Sequence, residues 1–204
     1  MFKVGLTGGI AAGKSAVTEI LRGHGIAVID HDQLARDAVA PGSPGLAQIV
    51  SRFGAQMLDE TGALDRARLG QVVFADPLAL SALNDIVHPA VYALAEAAER
   101  AALTNTVNNI VVHDIPLLIE TGQGTDFDEL VVVIAPTELR MARLIGGRGM
   151  SPAEAMRRIE SQTSDQERRK YATVVLDGSG SLVDLADQVA QFLARLGVNT
   201  TSKG

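Results

Sequence analysis

Residues 5–17, GLTGGIAAGKSAV, place four glycines, a lysine and a serine directly behind the apolar start MFKV. Gly8, Gly13, Lys14 and Ser15 satisfy the spacing G-x-x-x-x-G-K-[ST]. In that pattern a glycine-rich loop turns its backbone N–H groups inward, and the N-terminus of the next helix adds positive potential. The chemistry implied is the cradling of a nucleotide phosphate chain. Because main chain does most of the cradling, Gly9, Ala11, Ala12 and Ala16 can donate N–H groups as well as any residue. Lys14 supplies a mobile charge for the β- and γ-phosphates, and the Ser15 hydroxyl is placed to ligate Mg²⁺. The plainer alternative, a tight strand-to-helix turn with Lys14 solvated, fits less well, since the motif lies in the strand–loop–helix context it requires.

A second group of residues follows the stretch VIDHDQLAR, which brings Asp30, His31 and Asp32 to the end of an apolar run. A carboxylate there can accept a proton from an attacking hydroxyl or orient it in line with a γ-phosphate. Asp32 is preferred over Asp30 because it lies farther into the loop; its alternative role is to cap the helix that follows. Asp114 ends the run VVHD and resembles the carboxylate of a Walker B strand, although aspartate also begins turns well. The basic residues Arg140, Arg143, Arg148, Arg157, Arg158, Arg168, Arg169 and Lys170 gather late in the chain. Most of them read as a solvated helix face, and one or two turned to a phosphate would suffice. His31, His88 and His113 have no ligand-like spacing, so zinc is not expected.

These groups need a scaffold that presents them on one edge. Short apolar runs alternate with helix-period segments, the pattern of βαβ units in a parallel sheet. Strands are expected near Phe2–Leu6, Ala27–Asp30, Ile110–Asp114, Leu130–Ile134 and Val174–Leu176. The Ala- and Leu-rich stretch between the second and third is too long for one crossover helix. It reads as an inserted helical lobe with breaks at APGSPG and at His88-Pro89. Thr137 can cap a helix that GGRG interrupts at residues 146–149, and Ser151-Pro152-Ala153-Glu154 starts another, so the pair makes a candidate moving flap. Ser181 and Asp184 open a last helix with a core-facing stripe of Leu182, Leu185, Val189, Phe192, Leu193 and Leu196. The tail NTTSKG reads as frayed.

The whole chain, 204 residues, is long enough for one substantial core with small lobes. There is no uninterrupted apolar run near the ~20 residues that span a bilayer, and no signal-peptide pattern, so a cytoplasmic protein without membrane partners is expected. Zero cysteines exclude disulfides and thiolate sites. A net charge of −6 and 3% aromatic residues argue against a nucleic-acid surface.

Taken in order, GLTGGIAAGKS, VIDHDQLAR, APGSPGL, GALDRARL, VFADP, IVHP, DIPLLIE, RGMSPAEAMRRIESQTSDQERRKYA and VVLDGSGS resemble the dephospho-coenzyme A kinase family over nearly the whole chain. The phosphate loop alone would mark only a P-loop nucleotide enzyme; its combination with V-I-D-x-D, H-P and P-L-L-x-E is far more specific. The resemblance implies an α/β P-loop kinase fold with a five-stranded parallel sheet flanked by helices. It implies a core at about residues 1–31, 106–139 and 171–198, a helical acceptor lobe at about 32–105 and a lid at about 140–170. The implied reaction is transfer of the ATP γ-phosphoryl to the ribose 3′-hydroxyl of dephospho-CoA, with Mg²⁺. Lys14 and the loop then bind ATP phosphates, Asp32 is the candidate base and Arg140 is the lid arginine. Arg36, Arg66, His88 and Glu120 fall in motifs of the acceptor side or its support.

The chain departs from the family pattern in places. Ala11 replaces a common glycine and is expected to be tolerated if its φ is negative, while Ala16 stands where Ser or Thr is usual. Thr173 and Gly178 replace polar residues near the expected adenine loop. Two other readings share the phosphate loop: a kinase of another small metabolite or nucleoside monophosphate, and a slowly hydrolysing nucleotide switch. The sequence sets no oligomeric state.

Overall fold

Strands buried on both faces read as unbroken apolar runs rather than as alternation, and Val111, Val112, Val132 and Val133 are essentially inaccessible to solvent. In the computed structural model, which describes residues 1–105, 109–122 and 126–198, these runs form β1 (Phe2–Gly8), β2 (Ala27–Asp30), β3 (Ile110–Asp114), β4 (Glu129–Ile134) and β5 (Val174–Asp177). The sheet has the order β2-β3-β1-β4-β5 and is parallel. β1 is central, with Leu6 in register with Asp114 on one side and Val131 on the other. The loop after Gly8 therefore leaves the middle of the sheet at the carboxyl edge, where open parallel sheets hold ligands. The tail read as frayed, and the first residues of the core segment expected from residue 106, lie outside the described residues.

The chain divides into two compact units. The first, Met1–Ile29 with Ala102–Gly204, contains most of the sheet and α1 (Lys14–Gly23), α6 (Thr137–Arg148), α7 (Pro152–Glu160), α8 (Asp165–Tyr171) and α9 (Leu182–Arg195). Its main core joins Val4, Leu6, Val112 and Val133 to Val17 and Leu21 of α1 and Val189 and Leu193 of α9. α9 begins in a full capping box: Ser181 Oγ accepts from Asp184 N–H at 3.2 Å, and Asp184 Oδ2 accepts from Ser181 N–H at 2.8 Å. Leu182, expected in the buried stripe, is 71% exposed. It occupies the first turn, before the helix reaches the sheet, so the core face starts at Leu185. α6 starts at Thr137 without a side-chain cap, and Pro136 holds the N-cap position that Thr137 was expected to fill. Gly146 and Gly147 continue α6, which ends at Gly149 in a left-handed cap. Ser151 caps α7 as expected, its Oγ accepting from Glu154 N–H.

The second unit, Asp30–Ala101, is helical: α2 (His31–Asp37), α3 (Pro44–Phe53), a 3₁₀ turn at Ala55–Met57, α4 (Arg66–Ala75) and α5 (Pro77–Asn105). Ala38, Val39, Ile49, Met57, Leu69, Val73 and Ala79 form its own core. The break expected at His88-Pro89 is absent, and both residues lie inside the 29-residue α5. A helical proline forfeits one hydrogen bond, at about 3 kcal/mol in a closed interior. Here Asp85, His88 and Pro89 are exposed, so the freed Asp85 carbonyl can take water instead. On the other face Leu83, Ile86, Val87, Ala90, Val91 and Leu94 pack on the unit's core and hold the helix through the proline. By length and composition α5 is also apolar enough to cross a membrane.

Candidate active site

The loop between Gly8 and Lys14 closes on itself through Ala12 N–H to Gly9 O at 3.0 Å and Ala16 N–H to Gly13 O at 3.0 Å. Gly13, the N-cap of α1, has φ +116°, a conformation that a side chain would strain. Among the described residues, the N–H groups of Ala11, Gly13, Lys14 and Ser15 have no hydrogen-bond partner. They are the donors open to an anion, whereas those of Ala12 and Ala16 are engaged in the turn itself. Ile10 N–H donates to Gln162 Oε1 at 2.8 Å, tying the loop to the segment after α7. Ser15 is exposed in the first turn of α1, and its hydroxyl has no partner among the described residues.

Ala11 does not meet the condition of a negative φ under which it is expected to be tolerated. Its φ is +60°, where the Cβ crowds the following carbonyl at a cost of roughly 1–2 kcal/mol. The conformation is held from outside, because Arg143 donates from Nη1 to Ala11 O at 3.0 Å and from Nη2 to Gly178 O at 2.8 Å. One guanidinium thus joins the phosphate loop to the turn after β5. Gly178 itself lies so close to the loop that an added Cβ would stand 1.9 Å from Ala12 O. Thr173, the other departure near the expected adenine loop, bridges both the N–H and the C=O of Leu130 through its hydroxyl. Ala11→Gly should relieve the strain, offset in part by the greater freedom of glycine in the unfolded chain. We expect a gain of about 0.5–1 kcal/mol, or roughly 1–4 °C in Tm for a chain of this size. Scanning calorimetry checks it, and a fall in Tm would count against left-handed strain at this position.

Lys14 projects from the start of α1 to the end of β3, where Nζ donates to Asp114 Oδ1. Thr18, one turn along α1, donates to Asp114 Oδ2 at 2.8 Å. The Asp114 carboxylate is nearly buried, at 8% side-chain exposure, and Lys14 and Thr18 share it.

Of the eight late basic residues, Arg148, Arg157, Arg158, Arg169 and Lys170 are exposed as expected, but three turn inward. Arg143 is the clamp already described. Arg140, on the face of α6 that also carries the buried Leu144, is 4% exposed and donates from Nη1 to Asp165 Oδ1 at 3.1 Å. Burial pushes the Arg140 guanidinium below its ordinary pKa; Asp165 opposes that shift and the Arg168 charge adds to it. A Cβ added to Gly9 would lie 2.4 Å from Arg140 Nη1, so the guanidinium rests against the phosphate-loop backbone. Arg168 is fully buried and pairs with Asp165 and Glu120. Glu120 also accepts from Thr163 N–H at 3.1 Å. In this structure, then, Glu120 braces the arginine cluster. A cavity of about 550 Å³ opens beside it, lined by Ile134, Pro136, Asp165, Arg169, Val175 and Asp177 among others. Hydrogen bonds from Ser179 hold the Asp177 carboxyl below the usual range, with a smaller contribution from Arg169.

The remaining predicted residues belong to the helical unit. Asp30, not Asp32, caps α2, accepting from Gln33 N–H at 2.9 Å. Asp32 is exposed in the first turn, its carboxylate without a partner among the described residues. Arg36 is exposed and donates from Nε and Nη2 to Gln33 Oε1. Arg66, the first residue of α4, lines a cavity of about 260 Å³ with Val39, Ile49, Leu69, Val73 and Phe74. His88 is exposed and packs edge-on to Tyr92 with ring centroids 6.5 Å apart.

A lysine and an arginine at a glycine loop with open N–H groups suit an anion, but they do not say what the acceptor is. The model of the dephospho-CoA kinase family matches residues 2–184. The chain belongs to the dephospho-CoA kinase family. Members phosphorylate dephospho-CoA with ATP in the last step of coenzyme A synthesis, and the chain is a kinase of this family. A dephospho-CoA kinase of Frankia casuarinae is 45% identical over 206 residues, 99% of this chain and 88% of that relative. Among solved structures, TT1252 from Thermus thermophilus superposes with a TM-score of 0.80 at 35% identity, covering 96% of this chain and 97% of that one. A dephospho-CoA kinase from Campylobacter jejuni superposes with a TM-score of 0.68 at 26% identity, covering 95% and 96%.

Arg143 and Arg168 escape sequence reasoning. Arg140 and Leu144, at i and i+4, share a helix face, and that spacing is a signal that Arg140 turns toward the core. No comparable signal separates Arg168 from its neighbours Arg169 and Lys170.

Proposed function

We propose that this chain transfers the γ-phosphoryl group of ATP to the ribose 3′-hydroxyl of dephospho-CoA, and that Lys14, Arg140 and Asp32 carry the step. The observation that supports this most directly is Arg140: a buried guanidinium against Gly9 whose Nε has no partner among the described residues. A guanidinium in that position can grip two phosphate oxygens in a planar fork. The open N–H groups of Ala11, Gly13, Lys14 and Ser15 cradle the phosphates, and Gly8, Gly9, Ala12 and Ala16 shape the turn. Lys14 exchanges Asp114 for a phosphate oxygen and neutralises charge on the transferring group. The loop is joined to the turn after β5, beside the cavity at Asp177 and Ser179, which suits the nucleoside.

Asp32 stands just past the carboxyl end of β2 with a free carboxylate, fit to orient the acceptor hydroxyl and take its proton. Arg36, Arg66 and His88 serve the acceptor side within the helical unit, and Glu120 supports the arginines. Mg²⁺ suits the donor set. No group of three or more acidic or imidazole side chains gathers among the described residues, whereas Mg²⁺ is commonly held by substrate phosphates and water with few protein ligands. Ser15 is the residue to hold it, and the ion would neutralise phosphate charge. Residues 32–105 act as the acceptor lobe and residues 140–170 as the lid over the sheet-bearing core. The acidic net charge and a biosynthetic family suit small-molecule partners in the cytoplasm rather than nucleic acid or membrane.

ADP release measured with and without dephospho-CoA, with mass detection of the product, tests the reading; a rate unmoved by the acceptor would overturn it. Arg140→Lys keeps the charge but loses the fork, and turnover should fall by about 10-fold or more, as for a lost electrostatic contact in the transition state. Steady-state kinetics beside a melting curve separate that loss from a loss of stability. Arg143→Lys is not a neutral comparator, because its fork holds Ala11 and Gly178.

A further inference from the structure

We propose that Arg168 is a positioning residue for phosphoryl transfer, and that with Asp165 and Glu120 it forms a relay holding Arg140 against the phosphate loop. The inference rests on the reading that Arg140 meets the phosphates. Arg168 sits on α8 beside the exposed Arg169 and Lys170, yet it is 0% exposed. Removing a guanidinium from water is unfavourable unless partners replace the solvent. Two carboxylates do so: Nη1 donates to Asp165 Oδ1 at 3.1 Å and Nη2 to Glu120 Oε1 at 3.0 Å. Glu120 is fixed in turn by Thr163 N–H at 3.1 Å. The same Asp165 Oδ1 accepts from Arg140 Nη1 at 3.1 Å. A Cβ on Gly9 would meet Arg140 Nη1 at 2.4 Å and Arg168 Nη1 at 3.1 Å, so both guanidinium groups back onto the loop.

Charge and exposure explain why two arginines share one carboxylate. Paired with Arg140 alone, Asp165 would cancel its charge and repel an incoming phosphate. Shared with Arg168, which Glu120 also holds, it orients Arg140 without being committed to it alone. When Arg140 turns to a phosphate oxygen, the half-buried Asp165 carboxylate keeps Arg168 as its partner. Asp165 is the member best placed to adjust, with 27% side-chain exposure against 4% for Arg140 and 0% for Arg168.

The test is a double-mutant cycle of Arg168→Lys with Arg140→Lys, read as kcat and as KM for each substrate. One ammonium cannot reproduce the fork that bridges Asp165 and Glu120. In the native background Arg168→Lys should lower kcat by about 10-fold with KM for dephospho-CoA unchanged; in the Arg140→Lys background it should cost less than about 2-fold, since coupled residues are non-additive. Equal losses in both backgrounds would overturn the relay and leave Arg168 a support of the fold. Native kcat in Arg168→Lys would overturn it too. If Arg140→Lys alone kept native turnover, the phosphate role of Arg140 would fall and the relay with it, a result distinct from additivity. Asp165→Asn, which keeps shape and removes charge, replaces Arg168→Lys in the same cycle should that variant not fold.

Discussion

Lys14→Ala should lower turnover by about 10²-fold or more, the scale of losing one preorganised electrostatic contact to a transferring group. The loss should appear in kcat at saturating ATP, because the ammonium is needed most where charge develops. The variant should also be less stable. Lys14 is the ion-pair partner of a nearly buried Asp114 carboxylate, and once it is gone Thr18 Oγ1 remains as the side-chain donor. Leaving a buried acceptor short of a partner costs about 1–3 kcal/mol, or roughly 2–12 °C in Tm for a chain of this size. Kinetics well below the melting transition, with Tm measured on the same preparations, separate the two effects. A folded variant with near-native turnover would remove Lys14 from the mechanism.

Asp32→Asn should lower turnover toward the lower end of ~10²–10⁴-fold, since a loose transition state for phosphoryl transfer needs little proton removal. Stability should move little. Asp30 supplies the cap of α2, so the substitution takes from the helix start only a favourable charge worth about 0.3–1 kcal/mol. ATP binding by calorimetry should match that of the native protein. Lost ATP binding with unchanged turnover at saturation would place Asp32 in the nucleotide site instead.

The parallel sheet is legible in the sequence because its central strands, buried on both faces, must be apolar throughout, and the edge strands β2 and β5 are short apolar runs beside them. Each of the five runs became a strand with ends within two residues of expectation. The phosphate loop is legible because its spacing is dictated by backbone geometry around an anion. Elsewhere the deciding contacts come from distant residues. Pro89 does not break α5, because the flanking turns pack their apolar face on the helical core. Ala11 adopts a positive φ because Arg143, more than a hundred residues away, grips its carbonyl. The burial of Arg168 depends on Glu120 and Asp165 together, a pairing that local composition does not encode. Which of Asp30 and Asp32 caps α2 is a matter of backbone angle: the extended Asp30 at the end of β2 meets the N–H of Gln33, and Asp32 in the first turn does not.

The central place of β1 carries a cost during synthesis. Phe2 to Leu6 pair with Ile110 to Asp114, and Val4 to Gly8 with Glu129 to Val133. On a ribosome adding about 5–20 residues per second, β1 waits roughly five to twenty seconds for its first neighbour in the sheet. Through that interval an apolar strand has both edges unpaired, a template for pairing with another nascent chain. The helical unit, Asp30–Ala101, emerges meanwhile, and contacts close along the chain form faster than sheet pairing across it. Aggregation of this protein during overexpression should therefore respond to changes in elongation rate and to chaperones that cover β1 more than to ligands of the finished fold.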